Sequence, residues 1–175
     1  MHGELESFMS LWERETERTE ALLSALPVDQ YDFQPDPAGR SLGQLAWHLA
    51  EAEAYASTGI ERGTFKFDVR PPRIERPTTI GALLPAFKLV HADAVARVAR
   101  LEPDDLDVEI TYADGTLWTI RRLLWERLLL HVIHHRGQLV LLCRLAGGVP
   151  PAIYGRTREQ TLARKVAAAA TQGAT

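Results

Sequence analysis

The chain has 175 residues, of which 46% are hydrophobic and 25% charged, with 20 basic and 23 acidic side chains and a formal net charge of −3. That length carries one domain with a sizeable core and is short for two, so a single domain over residues 1–175 is expected. There is no basic excess to neutralise a phosphate backbone and no apolar run long enough to span a bilayer, so neither nucleic acid nor membrane is an expected partner.

The N-terminus, MHGELESFMSLWERE, is amphipathic and acidic, without the organisation of a secretory signal. A cytoplasmic protein is expected. The lone Cys143 excludes an internal disulfide and fits a reducing compartment.

Residues 3–26 carry Leu5, Phe8, Met9, Trp12, Leu22, Leu23 and Leu26 at helical spacing, with Glu and Arg on the other face. The stretch PVDQYDFQPDPAGR breaks that pattern with three prolines and a glycine and reads as a connection. Ser41 and Gln44 have the spacing of a capping box, which opens a helix from Leu42 to about Ile60. Residues 61–78, with Gly63 and a Pro-Pro pair, form a loop. A third helix follows from about Thr79 to Leu101, in which Pro85 implies a later start or a slight kink.

The segment VEITYADGTLWTI places β-branched and aromatic residues around Asp114-Gly115, a type I′ turn signal, so a small hairpin or extended loop is expected. The fourth helix runs from a Thr119 N-cap to about Leu145 and is ended by Gly147-Gly148 and Pro150-Pro151. Thr157 and Gln160 repeat the capping-box spacing, implying a short helix over 158–170 followed by a frayed end. Four long amphipathic helices with almost no strand signal predict an all-α, four-helix bundle with a short C-terminal helix and at most a minor β-hairpin.

Three of the six histidines fall in HVIHHRGQL, at 131, 134 and 135. With His131 at zero on a helical wheel, His135 lies roughly 40° to one side and His134 roughly 60° to the other. Leu117, Leu124, Leu128, Leu139 and Leu142 cluster on the side of His135, whereas His134 points toward Arg127. His131 and His135 therefore share the core stripe, and His134 lies at its edge.

A lone inward histidine is ordinarily a satisfied core residue. Two of them one turn apart on a leucine-rich face are costly to bury without partners, and side chains at i and i+4 can reach one metal ion. A third ligand must come from elsewhere. His48, in SLGQLAWHLAEAE, shares a face with Leu45, Leu49 and Ala52, and His91, in FKLVHADAV, is the rival. His2, near the terminus, is a poor candidate. Val132 stands where H-E-x-x-H has its glutamate base, so the zinc-protease helix is excluded. No Glu-x-x-His is present, so the ferritin-like carboxylate site is excluded too. An all-histidine set keeps the full dipositive charge of the ion and leaves positions open, which is the catalytic arrangement.

SLGQLAWHLAEAE, HVIHHRGQLVLLCRLAGGVP and PAIYG together resemble the DinB-like superfamily, which includes the YfiT-type proteins and the bacillithiol transferases. The resemblance extends from the first helix to the IYG segment. It implies a four-helix bundle, often a homodimer, and a divalent metal held by three histidines, here His48, His131 and His135. His134 occupies a position that is often histidine in the family without being a ligand. The resemblance further implies a metal-dependent transferase or isomerase that uses a low-molecular-weight thiol; imidazole ligands suit zinc, nickel, copper or iron, and zinc or nickel is the expected metal.

The reading is then a thiol-dependent S-transferase acting on small electrophiles, with no protein side chain assigned as the catalytic group. The alternatives are a metal-dependent hydrolase using bound water and a non-catalytic, metal-stabilised stress-response dimer. Gln138, His134 and Tyr154 are candidates for the ligands' surroundings or the pocket. Gly137 is expected to permit close helix packing, Arg136 to lie on a solvated face, Cys143 to be a core thiol, and Trp47, Trp118 and Trp125 to serve packing. Glu51 and Glu53 are expected to be exposed, with a role beside the histidines as the alternative.

Overall fold

A computed structural model describes residues 3–172. Four long helices carry the fold. Helix α1 spans Glu4–Ser24, α2 Leu42–Arg62 and α3 Ile80–Val98. Helix α4 is continuous over residues 120–145. A two-stranded hairpin, β1 Glu109–Thr111 and β2 Leu117–Thr119, precedes α4, and α5, Arg158–Gln172, follows it. The all-α architecture with a minor hairpin is as the sequence predicts. His2, and the last residues of the expected frayed end, lie outside the described residues. Among the described residues, no helix is long and apolar enough to cross a membrane.

Helix α2 is the centre of the bundle and packs against α3 and α4. Fifteen of its residues are buried, among them the small Gly43, Ala46, Ala50, Ala54 and Gly59, which let neighbouring helices approach closely. Its start is fixed by the predicted capping box: Gln44 N–H donates to Ser41 Oγ at 3.3 Å, and Ser41 N–H donates to Gln44 Oε1 at 3.1 Å. Its end is fixed by Gly63 in the left-handed region at φ 67°, where a Cβ would be strained. Both devices lie on the helix that bears His48, so its register against the other helices is set at each end.

Two expectations are corrected in the hairpin. A type I′ turn needs positive φ at both central residues, yet around the turn only Gly115 has it, at 86°. The strands pair Thr111 with Leu117, leaving the five residues 112–116 as the loop. Asp114 instead accepts from Thr116 N–H at 2.9 Å and from its hydroxyl at 2.6 Å. Leu117, assigned by spacing to the core stripe of the last helix, lies in β2 and is exposed.

Helix α4 departs from regular winding. Residues Leu123–Leu130 are π-helical, bonded i→i+5, between α-helical Ile120–Arg122 and His131–Leu145. The apolar pattern suits this. Leu123, Leu124, Leu128 and Leu129 are all buried, and residues five apart share a face only when the turn is widened. Regular winding resumes at His131, so a uniform 100° wheel is accurate from that residue on and inaccurate before it. Pro85 lies inside α3, which begins at Ile80 as expected and accommodates it at the cost of one main-chain hydrogen bond.

Candidate metal centre

The three histidines that the family resemblance implies as ligands converge. His48 reaches across from α2 to His131 and His135 on α4, and one ring nitrogen from each lies within 4.8 Å of the others. The ring centroids of His48 are 5.3 Å from His131 and 4.5 Å from His135, and those two are 4.4 Å apart. All three are partly buried. This is the only such grouping of histidine, cysteine and carboxylate ligands among the described residues.

The outer nitrogens decide which atoms face inward. His48 Nδ1 lies 3.1 Å from Glu51 Oε2, one turn along α2. A carboxylate there accepts the Nδ1 proton and leaves Nε2 as a lone pair pointing at α4. His135 Nδ1 is likewise 2.7 Å from Gln138 Oε1, and its Nε2 is left free. His48 Nε2 and His131 Nε2 are 3.2 Å apart, though 83 positions separate them in sequence. Two imidazole nitrogens on one tetrahedral zinc, each about 2.0–2.1 Å from the ion, sit about 3.3 Å from each other. The donor set therefore fits a divalent transition ion.

Electrostatics favour the neutral, ligating form. Burial pushes the His131 pKa down to about 3, assisted by the charges of Arg127, His135, His48 and His134. Burial also lowers that of His135. The Gln138 hydrogen bond opposes the shift, while His48, His134 and Arg40 add to it. Burial would raise the Glu51 carboxyl, but the hydrogen bond from His48 and the charge of Arg76 outweigh it and hold the group below its usual range.

The other candidates fall elsewhere. His134 sits to one side, its Nε2 3.2 Å from Gln138 Nε2, so Gln138 bridges His134 and His135. His91 turns to the opposite side of α2, where its Nδ1 is 2.8 Å from Glu53 Oε2. Glu53 also accepts from Trp12 Nε1 at 3.0 Å and is 1% exposed, which corrects the expectation that it is a surface glutamate. Glu51 is half-buried, with His48 and Arg76 as partners.

Arg136 is corrected most sharply. It is 1% exposed rather than solvated, and it pairs with Glu15 on α1 while donating to the Glu15 carbonyl at 2.7 Å. The Tyr154 hydroxyl joins this pair, donating to Glu15 Oε2 at 2.6 Å, so its polar end is committed away from the histidines. Cys143 is a buried core thiol whose pKa is pushed up by burial.

A cleft of about 520 Å³ reaches the triad at His135 and is lined also by Gln138, Asp36, Arg40, Leu45 and Leu142. Sequence reasoning missed Arg40 and underrated Glu51. The i, i+3 spacing of His48 and Glu51 was the available signal for the second.

A family model described as the DinB superfamily matches residues 11–139. The uncharacterized protein YrdA of Bacillus subtilis is 27% identical over 163 residues, covering 91% of this chain and 93% of that protein. A solved DinB-like protein of Bacillus cereus is 26% identical with a TM-score of 0.69, the match covering 84% of this chain and 95% of that one. A second, the DinB-like protein YjoA of Bacillus subtilis, is 24% identical with a TM-score of 0.70, covers 86% and 98% of the two chains, and bears on the fold alone.

Proposed function

The chain belongs to the DinB superfamily, and from that premise and the convergence of three imidazoles we propose that it is a metal-dependent enzyme joining a low-molecular-weight thiol to small electrophiles. His48, His131 and His135 would hold zinc or nickel. The observation that carries this reading is the pairing of the outer ring nitrogens: Glu51 and Gln138 engage Nδ1 of His48 and His135, in a triad whose ring nitrogens lie within 4.8 Å of one another. When bound, a divalent ion lets a thiol lose its proton near neutral pH and so become a strong nucleophile.

The chain's own residues supply the rest. Glu51 and Gln138 hold two imidazoles in ligating orientation. The leucines of the cleft shed water from an incoming apolar electrophile. Arg40 and Asp36 give the cleft polar groups for orienting a substrate. A closed structural site needs no adjoining cleft, so the cleft favours catalysis over a purely stabilising metal. A cytoplasmic homodimer acting in a stress response completes the reading, supported by the family resemblance, and light scattering of the purified chain tests the dimer.

The test is conjugation of chlorodinitrobenzene by the zinc- or nickel-reconstituted protein, with and without a panel of small thiols. Thiol-dependent product that disappears on chelation supports the proposal. Metal-dependent turnover that ignores the thiol moves the reaction to hydrolysis. No turnover with any thiol or ester, together with a large loss of Tm on chelation, assigns the metal to stability.

A further inference from the structure

Arg127 lies on the π-helical stretch of α4, one turn before His131. It is partly buried, and its guanidinium lies against a pair of aromatic rings, 5.2 Å from the Phe65 centroid and 5.6 Å from that of Phe67. One of its terminal nitrogens, Nη1, is buried with no hydrogen-bond partner. The other cations at comparable depth all have acceptors: Arg136 has Glu15, Arg97 has Glu61 and Arg144 has Glu159. The acid next to Arg127 in sequence, Glu126, is taken by Arg122.

A charged N–H withdrawn from water without an acceptor is costly, and native structures seldom leave one without a reason. Contact with two aromatic rings holds the guanidinium in place but accepts none of its protons. An anion would supply both the acceptor and the opposite charge. Position says which one. Arg127 stands four positions before His131 on the same helix, and side chains about one turn apart are neighbours. Phe67 is 58% exposed, and its ring lies 6.4 Å from that of Tyr55.

We propose that Arg127 is the anion-binding residue of the three-histidine site, receiving a carboxylate on the molecule whose sulfur-bearing or electrophilic end lies at His48, His131 and His135. The ligand class is thus a small anionic molecule with an apolar portion, and a neutral analogue binds less well. This rests on the metal reading above, but it has a consequence that survives without it, namely anion binding at Arg127 in metal-free protein.

The experiment is calorimetric titration of the full chain, zinc-loaded and zinc-free, with mercaptopropionate, mercaptopropanol and propionate. Zinc-loaded wild type should prefer mercaptopropionate to mercaptopropanol by about tenfold. Arg127→Met should bring the ratio close to one while zinc content and the mercaptopropanol affinity stay as they were. Arg127→Lys should keep part of the preference, since it retains charge without the planar fork. It also carries the comparison if the methionine variant folds poorly. Zinc-free wild type should still bind mercaptopropionate and propionate weakly, and Arg127→Met should not. Equal affinity for the two thiols in wild type, or a preference that survives Arg127→Met, overturns the proposal. If wild type takes up no zinc, the metal reading falls and the zinc-free arm alone decides this one.

Discussion

His48 and Glu51 face each other across one turn of α2, Nδ1 to Oε2 at 3.1 Å, and this contact determines which nitrogen of His48 is turned toward α4. Outer partners of metal-binding histidines fix tautomer and ring orientation, and removing them typically weakens metal affinity about 10–100-fold. Glu51→Ala should therefore loosen zinc binding by about that factor while leaving the fold intact, measured by competition with a chromophoric chelator. A dissociation constant equal to wild type would show that the carboxylate does not orient the ring.

His91 should behave differently from the triad. It is 17% exposed and bonded to a carboxylate that is 1% exposed. His91→Ala leaves Glu53 with Trp12 as its remaining partner, and stranding a buried polar group costs about 1–3 kcal/mol. The expected outcome is a lower Tm with metal stoichiometry unchanged. Loss of metal in this variant would place His91 in the site after all.

The pair formed by Arg136 and Glu15 ties α4 to α1 across 121 positions. Breaking a buried pair by removing one partner costs about 3–5 kcal/mol, so Arg136→Met should be among the most destabilising single changes in the chain. Glu15 also sets an acid limit. Burial pushes its carboxyl up, but hydrogen bonds from Tyr154 and Arg136 and the charges of Arg136 and Arg18 outweigh this, and the pKa falls below 4.5. The folded chain thus keeps Glu15 ionised at a pH where the unfolded chain has protonated it. Its contribution is fully present above 4.5 and is lost as the pH falls through the lower, folded value. Denaturation curves across that range should be steeper for wild type than for Glu15→Gln, and parallel curves would contradict the assignment.

Gly43, in the first turn of α2, lies against the Tyr31 ring, and a Cβ there would run into the ring carbons. The Tyr31 hydroxyl is held by the Pro77 carbonyl, so the ring cannot swing aside freely. Gly43→Ala should cost about 1–3 kcal/mol, the usual range for overpacking, and should lower zinc affinity as well because the helix that moves carries His48. Thermal unfolding and chelator competition on the same preparation would show whether the two losses travel together.

Local signals made much of this legible in advance. Capping boxes at Ser41 and Thr157 are read from spacings of three, and the structure forms both. His131 and His135 are one turn apart in regular helix, so the wheel placed them correctly relative to each other. Their third partner could be narrowed only to an inward face. His48 and His91 both satisfied that condition, and only packing shows that α2 turns one toward α4 while α3 turns the other toward Glu53.

What stayed hidden depends on distant partners or on main-chain winding. Arg136 and Glu53 look like surface charges because their partners lie 121 and 41 positions away. The π-helical winding of Leu123–Leu130 changes the angle per residue without changing residue type, and Leu117 was projected onto the helix although it lies in β2, before the helix begins. Arg127 carried no signal at all, because an absent acceptor leaves no trace in sequence.

The central claim is that His48, His131 and His135 hold one metal ion between them, and metal content per chain tests it most directly. Untagged wild type, reconstituted with zinc and desalted, should retain about one ion per chain. His48→Ala, His131→Ala and His135→Ala should each retain close to none, while His91→Ala and His134→Ala should match wild type. Full retention by all three triad variants would contradict the account.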